Sequence, residues 1–144
     1  MSDLNEVGER DGWRCWLCDK PVDPDASVNA DLGPSADSYA LTKNKNGLER
    51  LAHRACNTMK GKIAPVVPWP DDIVIADPAP LIETVERLER KGGREVVGRC
   101  MDERDAKSAS EWLLDRLSRL SPGKRFSVDL KSGGGQYLLS LSAN

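Results

Sequence analysis

Two short spacings constrain this chain more than anything else in it: Cys15-x2-Cys18 and, much later, His53-x2-Cys56. Two residues between ligands let one turn of chain present both side chains to the same ion. Three thiolates and one imidazole satisfy the tetrahedral preference of zinc. His53 is the only histidine of the 144 residues, and it stands three places before a cysteine. Cys15, Cys18, His53 and Cys56 are therefore expected to hold one structural zinc ion that organises the N-terminal half. Units below about 70–80 residues rarely have core enough to stand alone, and a metal is a usual remedy. The fourth cysteine, Cys100, has no partner at ligand spacing and reads as a small core residue in a strand.

The rest of the composition agrees with a metal role for the cysteines. Hydrophobic residues make up 39% and charged residues 31%, as in a soluble globular protein. The N-terminus is polar and acidic, with no apolar leader segment. No apolar stretch approaches the roughly 18–20 residues of a membrane span. The expectation is a cytoplasmic protein without a membrane partner, and in that compartment thiols stay reduced.

The net charge of −2 hides an uneven spread. Residues 1–40 carry nine acids against three bases, and residues 41–62 carry six bases against one acid. The bases are Lys43, Lys45, Arg50, Arg54, Lys60 and Lys62. Such a block is either a solvated surface or a site for nucleic-acid phosphates.

Five of the nine prolines fall between Ile63 and Pro80, which reads as a semi-rigid connector. The chain thus divides into a zinc-binding domain at 1–62, a linker at 63–80 and a small domain at 81–144. Ile73 to Ile75 fits a short edge strand within the linker. Trp13 to Pro24 reads as a knuckle, Asp23 to Ser38 as a loop, and Arg54 to Lys60 as a short helix. After the linker, Asp77-Pro78 should cap a helix running to about Lys91, with Leu81, Val85 and Leu88 on one face and Gly92-Gly93 as its stop. Glu95 to Met101 fits a strand. A second helix over about 105–120 carries the stripe Ala106, Ala109, Leu113, Leu117 and Leu120, which Trp112 and Leu114 could widen. Phe126, Val128 and Leu130 alternate as a strand. Lys131 to Gly135 is a glycine-rich turn, and Gln136 to Leu141 is a returning strand. The order suggests a small α+β unit with an antiparallel sheet.

The zinc ligands are embedded in further matches. Trp13-Arg14-Cys15-Trp16-Leu17-Cys18 leads into Asp23-Pro24. Gly33-Pro34-Ser35-Ala36-Asp37 follows, then Leu51-Ala52-His53-Arg54-Ala55-Cys56-Asn57 with Lys60-Gly61 just after. Over about residues 12–62 this set resembles the zinc-containing HNH endonucleases of bacteria and phages. The resemblance implies an α+β chain whose N-terminal unit is a zinc-stapled ββα-metal fold, with DNA as partner. It further implies an Asp-His pair at the end of the first strand, the Asp binding a catalytic divalent ion and the His acting as general base. An Asn or His near the second ligand pair completes that metal site.

This chain departs from the pattern at the chemistry. Asp37-Ser38 stands where Asp-His is expected, and a serine hydroxyl is a poor proton acceptor near neutral pH. Leu41 replaces a proline, and Thr42 to Leu48 lacks the family's Gly-Gly turn and Asn-Leu step. Asp37 and Asn57 remain as candidate ligands for a catalytic Mg²⁺ or Mn²⁺; each has an alternative role, as turn or cap residue and as helix brace. Three functions follow as expectations. One is a catalytically degenerate HNH-like zinc protein that binds nucleic acid through the block from Lys43 to Lys62. Another is an active DNA endonuclease with an unconventional base, such as metal-bound hydroxide. The third is a phage or mobile-element module that binds a host protein.

Overall fold

The computed structural model describes residues 3–39, 48–61, 63, 65–121 and 123–143. The chain is α+β and forms two compact units, Met1–Pro68 and Trp69–Asn144. The division falls inside the proline-rich segment.

In unit 1, helix α1 spans Leu4–Arg10, and the Asp3 side chain caps it by accepting from the Asn5 amide at 3.1 Å. Strand β1 (Pro34–Asp37) pairs antiparallel with β2 (Arg50–His53), from Pro34 opposite His53 to Asp37 opposite Arg50. Helix α2 (Arg54–Lys60) follows β2 directly. The loop reading of 23–38 is corrected at its end, where β2 supplies the backbone partners that make 34–37 a strand. α1 had no clear sequence signal, since its seven residues bury only Val7 and Gly8. It is held by Trp13, whose ring occupies the space where a Cβ on Gly8 would lie 2.5 Å away.

In unit 2, helix α3 spans Leu81–Lys91, β3 Gly93–Cys100, α4 Glu103–Leu120, β4 Phe126–Gly133 and β5 Gln136–Ala143. The three strands form an antiparallel sheet in the order β3-β5-β4. The expected order of elements holds, and α3 is corrected at its start. It begins at Leu81 with Pro80 as its cap residue, because Asp77 takes a left-handed conformation (φ 51°) and ion-pairs with Arg99. Asp102 caps α4 through the Arg104 amide. The stripe Ala106, Ala109, Leu113 and Leu117 is fully buried, as are Leu139 and Leu141 of β5 and Val97 of β3, and α4 packs on all three strands. Leu120 is only half-buried, Leu114 is exposed, and Trp112 packs on Trp69 at 5.3 Å between ring centroids. Cys100 is buried in β3, as expected of a core residue. The segment 73–75 forms no strand; its place is taken by an isolated bridge between Ala76 and Arg99. Among the described residues, no helix is long and apolar enough to cross a membrane.

Candidate metal centre and the neighbouring acidic position

The four ligand candidates arrive from two pieces of backbone that the fold locks together. Cys15 and Cys18 sit on a tight turn closed by Asp19 N–H donating to the Cys15 carbonyl (2.8 Å) and Cys15 N–H donating to the Lys20 carbonyl (3.0 Å). Asp19 adopts φ 67°, which lets the chain reverse at once. The Trp16 amide donates to the Leu51 carbonyl at 2.9 Å, tying this knuckle to β2. His53 ends β2, and Cys56 lies in the first turn of α2.

His53 is the N-cap residue of α2, yet its side chain makes no capping bond. The first amides of α2 are served from elsewhere: Arg54 N–H by the Gly33 carbonyl (2.9 Å) and Ala55 N–H by the Asp31 carbonyl (2.8 Å). This frees the imidazole to face the thiols. Its Nε2 lies 2.9 Å from the Pro21 carbonyl, which can only accept, so Nε2 carries the proton. In the neutral ring the lone pair is then on Nδ1, 3.3 Å from Cys18 Sγ and 3.8 Å from Cys56 Sγ. A tetrahedral ion with ordinary zinc bond lengths separates S and N ligands by about 3.6 Å. All four donor atoms lie within 4.8 Å of one another, and the set could hold a metal ion. The Pro21 carbonyl is an outer partner of the kind that fixes a ligating imidazole.

Electrostatics points the same way. Burial pushes the Cys18 thiol up, and burial with the neighbouring Cys15 and Cys18 pushes Cys56 up to about 12. A cation bound beside Cys18 and Cys56 would offset that penalty. The His53 amide adds a donor to Cys15 Sγ at 3.4 Å.

Asp37 ends β1 one strand away, and it is 2% exposed. Its carboxylate accepts from Trp16 Nε1 (3.0 Å) and the Tyr39 amide (3.0 Å) and pairs with Lys60 Nζ at 3.2 Å. The Lys60 ammonium also lies 5.2 Å from the Tyr39 ring centre. Asn57 donates through Nδ2 to Ser35 Oγ (3.0 Å) and, more weakly, to the Ala36 carbonyl (3.4 Å), bracing α2 on β1. Ser38 is exposed beside this cluster. Among the described residues, Asp37 belongs to no group of three or more potential metal ligands.

The basic block is divided. Arg50 is buried, its Nε 3.0 Å from Asp11 and its guanidinium 5.4 Å from the Trp16 ring centre. Arg54 is exposed and pairs with Asp31 at 3.2 Å. Lys60 is turned inward to Asp37, its side chain 8% exposed. Lys43, Lys45 and Lys62 lie outside the described residues. Sequence reasoning missed Asp11 and Trp16 as anchors. The Asp37–Tyr39 turn has a local signal, because an aspartate commonly accepts the amide two residues on; the Lys60 pairing has none.

Comparison with protein-family models, with curated proteins and with solved structures found no match to this chain.

Proposed function

We propose that unit 1 is a zinc-stapled, HNH-like module that has lost phosphodiester cleavage and acts by binding. The observation that carries this reading is the environment of Asp37. A carboxylate that serves a catalytic divalent ion needs open lone pairs and further oxygen or nitrogen ligands beside it. Asp37 is instead buried and already met by an ammonium and two N–H donors. The ammonium of Lys60 supplies the positive charge that a catalytic ion would bring. Asn57, the other residual candidate, spends its amide on β1. No histidine other than His53 exists to act as base, and its nitrogens are committed to the thiol cluster and to Pro21. Zinc suits the Cys15, Cys18, His53 and Cys56 set because three thiolates with one imidazole match its ligand preference.

Nucleic acid is the binding partner favoured by the sequence. With Arg50 and Lys60 turned inward, the contact would rest on Arg54, Lys43, Lys45 and Lys62. A second reading, a protein partner such as a host factor, is supported by one feature of unit 1. An open apolar hollow of about 310 Å³ beside the thiols is lined by Leu17, Met59, Ile63, Val66 and Pro68. Met59 at its rim is 84% exposed.

Incubation of the zinc-loaded protein with supercoiled plasmid in Mg²⁺ or Mn²⁺ tests the first claim. The expected result is no nicking. Nicking that disappears in Asp37→Ala would refute loss of cleavage. DNA affinity that falls with salt and with removal of the Arg54, Lys43 and Lys45 charges supports nucleic acid; no binding at low salt selects the protein-partner reading.

A further inference from the structure

The two edges of the unit 2 sheet are treated differently. The outer edge of β3 is occupied: Ala76 and Arg99 exchange amide–carbonyl bonds at 2.7 and 3.0 Å, and Ala79 N–H donates to the Val97 carbonyl at 2.8 Å. Ile75 closes over β3 so tightly that a Cβ on Gly98 would come within 2.9 Å of its Cγ2. The outer edge of β4 has no such cover within unit 2 among the described residues.

The hairpin fixes which backbone groups face that open edge. Gly134 and Gly135 form a two-residue turn with φ 61° and 76°, so the flanking pair Gly133 and Gln136 is hydrogen-bonded. Lys131, Asp129 and Ser127 then bond to β5, and the N–H and C=O groups of Ser132, Leu130, Val128 and Phe126 point outward. Phe126, Val128 and Leu130 are also half-buried apolar side chains, an apolar row that ends at the open edge. Ser127, Asp129 and Lys131 occupy the opposite, exposed face.

We propose that β4 is a self-association edge that pairs antiparallel with β4 of a second copy, centred on Leu130. Charge selects both the occupant and the register. Centring on Leu130 sets Asp129 against Lys131 of the other copy twice, on the exposed face and in the closely approaching non-bonded positions. A pair centred on Asp129 would oppose two aspartates, and one centred on Lys131 would oppose two lysines. A pair centred on Val128 would set Lys131 against Arg125. Only the Leu130 register makes all of these charges complementary. It also pairs outward-facing Val128 with Ser132 and Leu130 with its counterpart, giving about six backbone hydrogen bonds. The result is a six-stranded sheet in which the apolar rows of the two copies meet. Asp129 already lies 3.4 Å from Arg94 on the same face, an exposed pair that the new contacts extend. The interface is a single strand pair, so the dimer is weak and concentration-dependent.

The test uses the full zinc-loaded chain in sedimentation equilibrium up to about 0.5 mM. Wild type is expected to dimerise reversibly. Asp129→Lys and Lys131→Asp should each weaken self-association roughly tenfold, since each turns two attractive pairs into repulsive ones. The variant carrying both changes should return to within about threefold of wild type. Mixing the two single variants should give a heterodimer tighter than either homodimer, because every facing pair is then of opposite sign. Both positions are on the exposed face, and the Arg94 pair that Asp129→Lys gives up is itself exposed, so the fold should persist, which circular dichroism of each variant checks. A wild type that stays monomeric throughout overturns the proposal, and so does a mixture no tighter than its separate components. These outcomes are independent of whether unit 1 binds zinc, nucleic acid or a protein.

Discussion

The Asp37–Lys60 pair makes a quantitative demand on the reading of unit 1. If Lys60 stands where a catalytic ion would otherwise sit, its charge must matter to the fold. Lys60→Met keeps the unbranched apolar stem and removes only the ammonium. Losing one partner of a buried ion pair costs about 3–5 kcal/mol, because the other charge is left without a counterion. Here the carboxylate keeps two neutral donors, Trp16 Nε1 and the Tyr39 amide, and the lysine lies close to the surface of the unit. A cost at or just below the bottom of that range, about 2–3 kcal/mol, is therefore expected. Asp37→Asn removes the charge from the other side and sets an amide NH2 among donors, at a cost of about 1.5–3 kcal/mol. The double variant should be less damaged than the sum of the two by at least about 1 kcal/mol, since neither then strands a charge. Urea unfolding of the zinc-loaded chain measures this. Trp13 and Trp16 report unit 1, and Trp69 and Trp112 report unit 2, so the fluorescence is fitted with two transitions. Only the first should move. A Lys60→Met protein whose first transition lies within about 0.5 kcal/mol of wild type would make Lys60 an ordinary surface lysine. Asp37 would then not be committed by that pair.

What the sequence disclosed, and what it hid, follows from the range of each interaction. The clustering of Cys15, Cys18, His53 and Cys56 was legible because metal chemistry demands particular residue types at fixed short spacings. The helices of unit 2 were legible because the Ala106 to Leu117 stripe repeats with the helical period, and that period is local. The end of α3 was legible in Gly92, whose φ of 68° suits glycine. Its start was misjudged because Asp77-Pro78 carries a start signal that a distant residue overrides: Arg99 of β3 draws Asp77 into an ion pair. The same limit hid β1. Pro34 to Asp37 has turn-forming composition and becomes a strand only because Arg50 to His53 lies beside it. The basic block shows the limit most sharply. Six cations in one stretch look like one surface, but Arg50 faces Asp11 and Lys60 faces Asp37 across long sequence separations. Period and spacing say which residues share a face; they do not say what stands opposite it.

Two more predictions probe how unit 1 is assembled. Gly33→Ala should destabilise unit 1 by about 1–3 kcal/mol or more, since a Cβ there would lie 1.9 Å from the Ser27 carbonyl oxygen, a backbone atom that cannot simply swing aside; the same two-transition unfolding experiment reads it, and an unchanged first transition would refute it. Metal removal goes further. A site of this ligand type contributes on the order of 10–16 kcal/mol, as much as the whole stability of a typical domain. A high-affinity chelator should therefore abolish amide-exchange protection at Trp16 and Arg54, whose hydrogen bonds to Leu51 and Gly33 join the knuckle, β2 and α2. The β5 amides at Leu139 and Leu141, in a core that uses no metal ligand, should stay protected. Protection that survives at Trp16 and Arg54 in verified metal-free protein would mean that β1, β2 and Asp11 hold unit 1 by themselves, and that the thiol cluster is not what folds it.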